Sequence, residues 1–191
     1  MIPGALVVAA VVGSGIAFIV TAQVARSRAI SERGASVRVA VGIAQWLPYF
    51  FWAPYVVVGT HLGPEIELPD VVRLIGVVLT IGGVGLSLWS IATLGRHYDL
   101  VLEIHAGHEL VRRGPFAWVR HPVYTGLALH FIGACLATGN WLLIAGTLFG
   151  SFPALYLRAA VEERLLRQRL GPAYDAYARR VPMLVPLVRT F

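Results

Sequence analysis

VYTGLALHFIGACLATGNWLLIAGTLFGSFPALY, residues 123–156, contains two apolar runs that are separated only by Gly139 and Asn140. So short a polar break predicts two antiparallel helices joined by a tight turn. Each run is short for a membrane span, which needs about 20 mostly apolar residues. We therefore expect the two helices to be partly sheltered by the rest of the protein.

The whole chain shares this apolar character. Its 191 residues are 57% hydrophobic and 14% charged, with a mean hydropathy of +0.71, whereas soluble domains are about 25% charged. The composition predicts an all-α polytopic membrane protein, and the length suits a single domain over residues 1–191. The pI near 10.1 reflects basic loops that report topology, so we expect no nucleic-acid partner.

Three further apolar segments precede the pair of helices, over residues 2–25, 37–60 and 71–94. Each is long enough to cross a bilayer, so we predict about five transmembrane helices. Residues 1–94 then hold the N-terminal spans, and residues 95–191 form the half that carries most of the polar groups. The run IGGVGLSLW at 81–89 is rich in glycine, which would let neighbouring helices approach closely.

The charge of the connecting loops alternates along the chain. The loop after residue 25 is basic, the loop at 61–70 carries acids and no arginine, the loop after residue 94 is basic, and the tail after residue 156 is basic again. Five spans place every basic segment on one side of the membrane, as the positive-inside rule requires. We therefore expect the N-terminus outside and the C-terminus in the cytoplasm.

The run RHPVY at 120–124 lies at the start of the fourth predicted span. Pro122 suits the first turn of a helix and places His121 at the helix entrance, beside backbone N–H groups that lack intrahelical partners. Such a position can hold a polar ligand at the membrane surface. The alternative is that His121 and Tyr124 only anchor the helix at the interface.

The run RAAVEERLLRQRLG at 158–171 follows the fifth predicted span. Arg158 and Glu162 are four residues apart and share a helical face, whereas Glu163 points elsewhere. An ionisable residue so close to an apolar span is costly and indicates function. The alternative is a surface ion pair worth less than about 1 kcal/mol.

The leucines and arginines between residues 164 and 170 alternate at helical spacing. This pattern predicts a helix that lies on the membrane interface, and Gly171-Pro172 should end it. The single cysteine, Cys135, cannot form an intramolecular disulfide. Because no Cys/His cluster has zinc spacing, we predict no metal site.

Two segments together resemble the isoprenylcysteine carboxyl methyltransferase family, which is grouped with the phospholipid methyltransferases. They are GHELVRRGPFAWVRHPVYTG at 107–126 and RAAVEERLLRQRLGPAYDAYARRVPMLVP at 158–186. The similarity covers about residues 93–186. Members of the family are integral membrane enzymes that use S-adenosylmethionine, so the resemblance implies a cytoplasmic pocket for that cofactor.

The resemblance also implies roles for individual residues. Arg158 and Glu162 would be catalytic, with Arg158 facing the methyl acceptor and Glu162 also binding the cofactor. Glu163 is the second acid of the pair. At position 101 some relatives carry a polar residue, which Val101 could replace only with its backbone. The implied cofactor contacts are Val101, His108, Glu109, Leu110, Val111, Phe116, His121, Pro122, Val123, Tyr124 and Glu162.

The chemistry of methyl transfer fits these residue types. A buried acid such as Glu162 could accept from the cofactor's ammonium or ribose hydroxyls, and the helix N-terminus at Pro122 could hold its carboxylate. Phe116 and Tyr124 could stack on adenine or lie near the sulfonium. A carboxylate acceptor is already ionised near pH 7, and Arg158 could orient it by paired hydrogen bonds.

We therefore expect S-adenosylmethionine-dependent methyl transfer to a lipophilic acceptor, in contact with membrane lipid. A carboxylate such as that of an isoprenylcysteine is favoured over a phospholipid amine or another lipid or small hydrophobic molecule. The alternatives from other classes are an NADPH-dependent membrane reductase of the sterol type and a non-catalytic membrane protein. The sequence has no Rossmann glycine pattern after a strand that would bind a nicotinamide cofactor.

Overall fold

The computed structural model of the chain describes residues 3–33, 65–95, 98 and 110–186. These residues form helices and turns, and their only β feature is an isolated bridge between Glu65 and Asn140. The all-α prediction is therefore confirmed. A 3-10 turn, Gly114–Ala117, precedes α3, and a π turn, Thr147–Ser151, joins α4 to α5. The helices are α1 (Gly4–Arg33), α2 (Asp70–Leu94), α3 (Pro122–Thr138), α4 (Trp141–Gly146), α5 (Phe152–Leu170) and α6 (Pro172–Ala178).

Three helical segments of the described chain are long and apolar enough to cross a membrane: Gly4–Ala25, Asp70–Leu94 and Trp141–Leu170. Pro122–Thr138 is a shorter apolar helix. These four correspond to the first, third, fifth and fourth predicted spans. The second predicted span, 37–60, lies outside the described residues. The prediction of an integral membrane protein is confirmed.

The connection between α3 and α4 has a defined stereochemical cause. Gly139 adopts a left-handed conformation with φ of +65°, which glycine reaches without steric penalty. A Cβ atom at this position would also collide with the carbonyl oxygen of Ile66. Asn140 then caps α4, because its side-chain oxygen accepts from the N–H of Leu143 at 3.0 Å. The two polar residues thus end one helix and begin the next.

Helices α4 and α5 form one continuous path alongside α3. Cys135 and Thr147 are in contact at 3.4 Å near the connection, and the other end of α3 meets Glu163 through His121. The path from Trp141 to Leu170 has 30 residues, or about 45 Å at the helical rise. It therefore exceeds the hydrocarbon thickness of about 30 Å.

The residues at 164–170, which were expected to form a helix on the membrane interface, are the last turns of α5 and not a separate helix. Helix α5 continues from Phe152 to Leu170 without a break, because no glycine or proline lies between residues 157 and 170. The helix ends at Gly171, whose φ is +52°, as the Gly-Pro pair predicted.

Helix α1 packs against α2 and α3 through apolar side chains. Val7, Val11, Phe18 and Ala22 are buried and belong to the same core cluster as Phe131 of α3. They recur at intervals of four and seven residues, which places them on one face of the helix. This contact holds the first span against α2 and α3.

Helices α2 and α3 approach each other through glycines, so closely that no methyl group fits between them. A Cβ atom at Gly83 would collide with the backbone of Gly126 and His130, and one at Gly133 would collide with the backbone of Thr80. Backbone contact of this kind drives helix association in lipid, where apolar side chains gain little from leaving the bilayer. Such a seam fixes the position of α3 along α2.

Only one of the three glycines in the glycine-rich run lies in this seam. Gly83 lies in it, whereas Gly82 and Gly85 face open space. We expect Gly83→Ala to lower the free energy of unfolding by about 1–3 kcal/mol through overpacking. The matched change Gly82→Ala should be neutral, or stabilising by up to about 1 kcal/mol, because alanine favours the helix. Thermal unfolding in detergent measures both, and equal midpoints for the two variants would contradict the seam.

Candidate active site

The candidate site lies where the residues before α3 meet the charged turns of α5 and the tail that follows. The 3-10 turn begins at Gly114, with φ of +58°, and buries Phe116. The hydroxyl of Tyr177 donates to the carbonyl of Phe116 at 2.6 Å, and the guanidinium of Arg112 lies 5.9 Å from the centre of the Tyr177 ring. The tail is thus tied to the segment that leads into α3.

The tail also pairs with the backbone at the entrance of α3. The N–H of Arg120 donates to the carbonyl of Pro182 at 2.9 Å, and the N–H of His121 donates to that of Met183 at 3.1 Å. One turn later, the hydroxyl of Thr125 donates to the carbonyl of Leu184 at 2.7 Å. These bonds hold His121 at the mouth of the helix, as the position of Pro122 predicted.

One hydroxyl connects the arginine and the acid that share a face of α5. The Nε of Arg158 donates to the Tyr124 hydroxyl at 2.8 Å, and that hydroxyl donates to Oε2 of Glu162 at 2.9 Å. The guanidinium of Arg158 also lies 5.8 Å from the centre of the Tyr124 ring. The spacing of four residues therefore brings Arg158 and Glu162 to a common partner on α3.

The neighbouring acid has different surroundings. Glu163 accepts from Nε and Nη2 of Arg120 at 2.6 and 3.1 Å and from the hydroxyl of Tyr174 at 2.8 Å. It also accepts from Arg167 at 3.0 Å and contacts Nε2 of His121 at 3.0 Å. The Glu163 side chain is only 5% exposed, so its carboxylate is enclosed by donors from three parts of the chain.

His121 lies between the two carboxylates. Its Nδ1 is 3.5 Å from Oε2 of Glu162, and its Nε2 is 3.0 Å from Oε1 of Glu163. Burial alone would lower the pKa of His121, but the hydrogen bonds and charges of Glu162 and Glu163 outweigh it and raise the pKa to about 9. The ring is therefore an imidazolium near pH 7 and has a proton on each nitrogen.

The tail tyrosines remain neutral hydrogen-bond donors. Burial and the charge of Glu163 raise the pKa of Tyr174 above its usual value. Burial raises the pKa of Tyr177 to about 12. Because neither phenol ionises near neutral pH, both hydroxyls keep the protons that they donate to Glu163 and to the Phe116 carbonyl.

The structure brings His121, Tyr124, Arg158 and Glu162 into one hydrogen-bonded cluster. Pro122 and Val123 lie in the same helical turn. Leu110 and Val111 are partly buried before the 3-10 turn, and Phe116 is buried within it. The remaining predicted contacts fall outside the described residues, namely Val101, His108 and Glu109.

Three further residues of the site have no role predicted from the sequence: Arg120, Tyr174 and Tyr177. Two of the three carry a signal in the sequence, because tyrosines three residues apart share a helical face. Arg120 carries none, since its side chain pairs with an acid 43 positions away. Its Nη1 also donates to the carbonyls of Ala178 and Val181 at 2.9 and 2.5 Å, and backbone carbonyls leave no mark in a sequence.

Comparison with known proteins agrees with the predicted resemblance. The family model for phospholipid methyltransferase matches residues 71–173. A probable protein-S-isoprenylcysteine O-methyltransferase of Oryza sativa subsp. indica is 29% identical over 66% of this chain and 68% of the relative. A nickel-cobalt-cadmium resistance protein of Alcaligenes xylosoxydans xylosoxydans is 31% identical over 60% of this chain and 52% of the relative.

A solved structure has the same fold. It is that of the eukaryotic intramembrane Ras methyltransferase, an isoprenylcysteine carboxyl methyltransferase, with a TM-score of 0.63 at 24% identity. The alignment covers 87% of this chain and 61% of that chain. The family match spans more than half of the sequence and includes α2, α3 and α5. The chain therefore belongs to the phospholipid methyltransferase family, and its predicted relation to the isoprenylcysteine carboxyl methyltransferases is confirmed.

Proposed function

We propose that this protein transfers a methyl group from S-adenosylmethionine to a carboxylate on a lipophilic acceptor, such as an isoprenylcysteine. The observation that carries the proposal is the chain of hydrogen bonds from Arg158 through Tyr124 to Glu162. By the family resemblance, Arg158 would contact the methyl acceptor and Glu162 would contact the cofactor. The Tyr124 hydroxyl lies between these two residues and bonds to both. Two reactants held at these residues would therefore lie side by side, which is what methyl transfer requires.

The residues of the cluster fit S-adenosylmethionine, which when bound would supply the methyl group. The Glu162 side chain is 33% exposed, and a carboxylate has about four lone-pair sites. It can therefore accept from an ammonium or from ribose hydroxyls while keeping its bond from Tyr124. His121 and Pro122 begin α3, so the helix N-terminus lies beside this acid and favours the cofactor's carboxylate.

The charges of the cluster favour a carboxylate acceptor over an amine. Methylation of a carboxylate needs no general base, because the acceptor is already ionised near pH 7. An ammonium acceptor would first have to lose a proton. His121 is cationic between its two carboxylates, and the Arg158 guanidinium cannot take a proton. Arg158 offers instead a fork of donors that matches a carboxylate.

The position of the cluster along α5 supports an acceptor that is dissolved in lipid. Arg158 lies about 26 Å along the helix axis from Trp141, and Glu162 lies about one turn further. A hydrocarbon layer of about 30 Å therefore ends close to these two residues. Arg158 would lie at the depth of the hydrocarbon layer, from which the acceptor comes. Glu162, one turn further along the helix, would lie closer to the water that supplies the cofactor.

We propose the membrane arrangement that the sequence predicts. The chain would cross the bilayer five times, with the N-terminus outside and the half at 95–191 opening its cofactor pocket to the cytoplasm. The last two spans would form a helical hairpin that lines one side of this pocket. The alternation of basic and acidic loops supports the arrangement through the positive-inside rule.

A phospholipid amine is the second candidate acceptor, because the matching family is described as phospholipid methyltransferase. The two products differ in chemistry. A methyl ester is cleaved by mild alkali and releases methanol, whereas an N-methyl group survives that treatment. Purified protein should be incubated with a lipid extract, a prenylcysteine probe and methyl-labelled S-adenosylmethionine, and the labelled product then treated with alkali.

We expect label that alkali releases as methanol. Alkali-stable label on a phospholipid would overturn the carboxylate and support the amine. Protein that binds NADPH and neither S-adenosylmethionine nor its demethylated product would overturn methyl transfer itself. The Arg158→Ala variant, which we expect to be catalytically impaired, serves as the control for label that is incorporated without enzymatic transfer.

A further inference from the structure

The adjacent glutamates Glu162 and Glu163 differ in how well each could accept hydrogen bonds from a ligand. The side chain of Glu162 is 33% exposed, whereas that of Glu163 is 5% exposed. Glu163 already takes part in five hydrogen bonds: two from Arg120 and one each with His121, Arg167 and Tyr174. A carboxylate has about four lone-pair sites, so Glu163 has no acceptor capacity left for a cofactor or a methyl acceptor.

We propose that Glu163 is a positioning residue: it holds one nitrogen of the His121 ring so that the other nitrogen faces Glu162 and the cofactor. This inference rests on the proposed function, because it concerns the same pocket. The ring is fixed from both sides, since Nε2 contacts Glu163 and Nδ1 faces Glu162. It also stacks on Tyr124, with ring centres 5.6 Å apart and planes inclined by 12°.

Arg120 extends this anchor to the tail. Its guanidinium meets Glu163 with two nitrogens, and its third nitrogen donates to the carbonyls of Ala178 and Val181. The side chains of Arg120 and Glu163 are 3% and 5% exposed. A carboxylate buried to this extent would be strongly unfavourable without its partners. Glu163 therefore links α5, the entrance of α3 and the tail around a single imidazole ring.

The charge of His121 provides a measurement that distinguishes positioning from direct ligand contact. Its ring faces Glu162 and Glu163 from α5 and Tyr124 from its own helix. The charged and titratable groups behind these neighbours are Arg120, Arg158, Arg167 and Tyr174. Removing the charge of Glu163 leaves the ring buried with one anionic neighbour, which favours its neutral form. The neutral ring has a single N–H, so it can no longer donate from both nitrogens.

The test compares Glu163→Gln with Glu162→Gln and with the matched control Asp175→Asn. Asp175 is a half-buried acid of α6 that contacts Arg167 at 3.5 Å and not His121. Binding of S-adenosylhomocysteine to the full chain in detergent is measured between pH 6 and pH 10. For Glu163→Gln we expect the alkaline loss of affinity to begin about one pH unit or more lower. Affinity at pH 6 should stay within about threefold of the parent, because no ligand contact is removed.

A uniform loss of affinity in Glu163→Gln at every pH would overturn the inference, because it would mean that this acid contacts the ligand. The inference would also be overturned if affinity in Glu163→Gln fell at the same alkaline pH as in the parent protein. Asp175→Asn should match the parent throughout, and Glu162→Gln should bind more weakly even at pH 6.

A second measurement needs neither a variant at 163 nor a ligand. Ring-nitrogen NMR of histidine-labelled protein, with His121→Gln to assign the signal among the six histidines, reports the charge of His121 directly. We expect an imidazolium at pH 7 that titrates above pH 8. A neutral ring at pH 7 would overturn the inference. A protein that shows the imidazolium but binds no S-adenosylhomocysteine would retain the anchor and refute the proposed function alone.

Discussion

Replacing Arg158 with alanine is expected to lower the rate of methyl transfer by about 10²-fold or more, because the acceptor carboxylate loses the paired donors that would align its oxygen with the methyl group. Affinity for S-adenosylhomocysteine should change by less than about threefold, because Glu162 keeps its partners on α3. Arg158→Lys should recover little of the rate, since an ammonium cannot form the paired bonds of a guanidinium. Single-turnover rates and calorimetric binding measure the two effects separately.

Arg164 offers the matched control for this experiment. It is an exposed arginine on the same helix, on a different face from Arg158. Arg164→Ala should therefore leave both the rate and the affinity near the parent values. If Arg158→Ala kept the parent rate, or if both variants lost activity equally, the assignment of Arg158 to the acceptor would be wrong.

The second large effect is expected from Glu162→Gln, which should weaken S-adenosylhomocysteine binding by about 10–100-fold. That range follows from the loss of one charge-assisted hydrogen bond, worth about 1.5–3 kcal/mol. The amide oxygen of glutamine can still accept from Tyr124, so the helix contact at 2.9 Å is kept. Isothermal titration at pH 6, below the raised pKa of His121 in the parent protein, measures the effect of the acid.

Asp175→Asn again serves as the comparison, because it removes one negative charge from the same side of the protein. A Glu162→Gln variant that bound as tightly as the parent would remove Glu162 from the cofactor site. The cofactor site would then need another acid, and the family resemblance implies a cofactor contact at Glu109.

Several parts of the architecture follow directly from the sequence. The helix break at Gly139 and Asn140 lies where two polar residues interrupt the apolar run, because only these residues suit a left-handed turn followed by a cap. Arg158 and Glu162 meet a common hydroxyl because residues four apart share a helical face. Both features depend on local spacing, which a single sequence records.

Long-range features could not be predicted in this way. Any of several arginines could have paired with Glu163, and nothing local selects Arg120, which lies 43 positions away. Likewise, Gly83 lies in the contact with α3 while Gly82 does not, and only the orientation of α2 decides between them.

The glycine contact between α2 and α3 also constrains the route by which a lipid could reach the site. A seam that excludes a methyl group at Gly83, Gly126 and Gly133 cannot admit a prenyl or acyl chain, which is wider than a methyl group along its whole length. A hydrophobic tail that approaches Arg158 from the bilayer must therefore slide in along another side of the bundle. The contact between α2 and α3 is therefore closed to lipid, and the entrance for the hydrophobic chain of the acceptor lies between other helices.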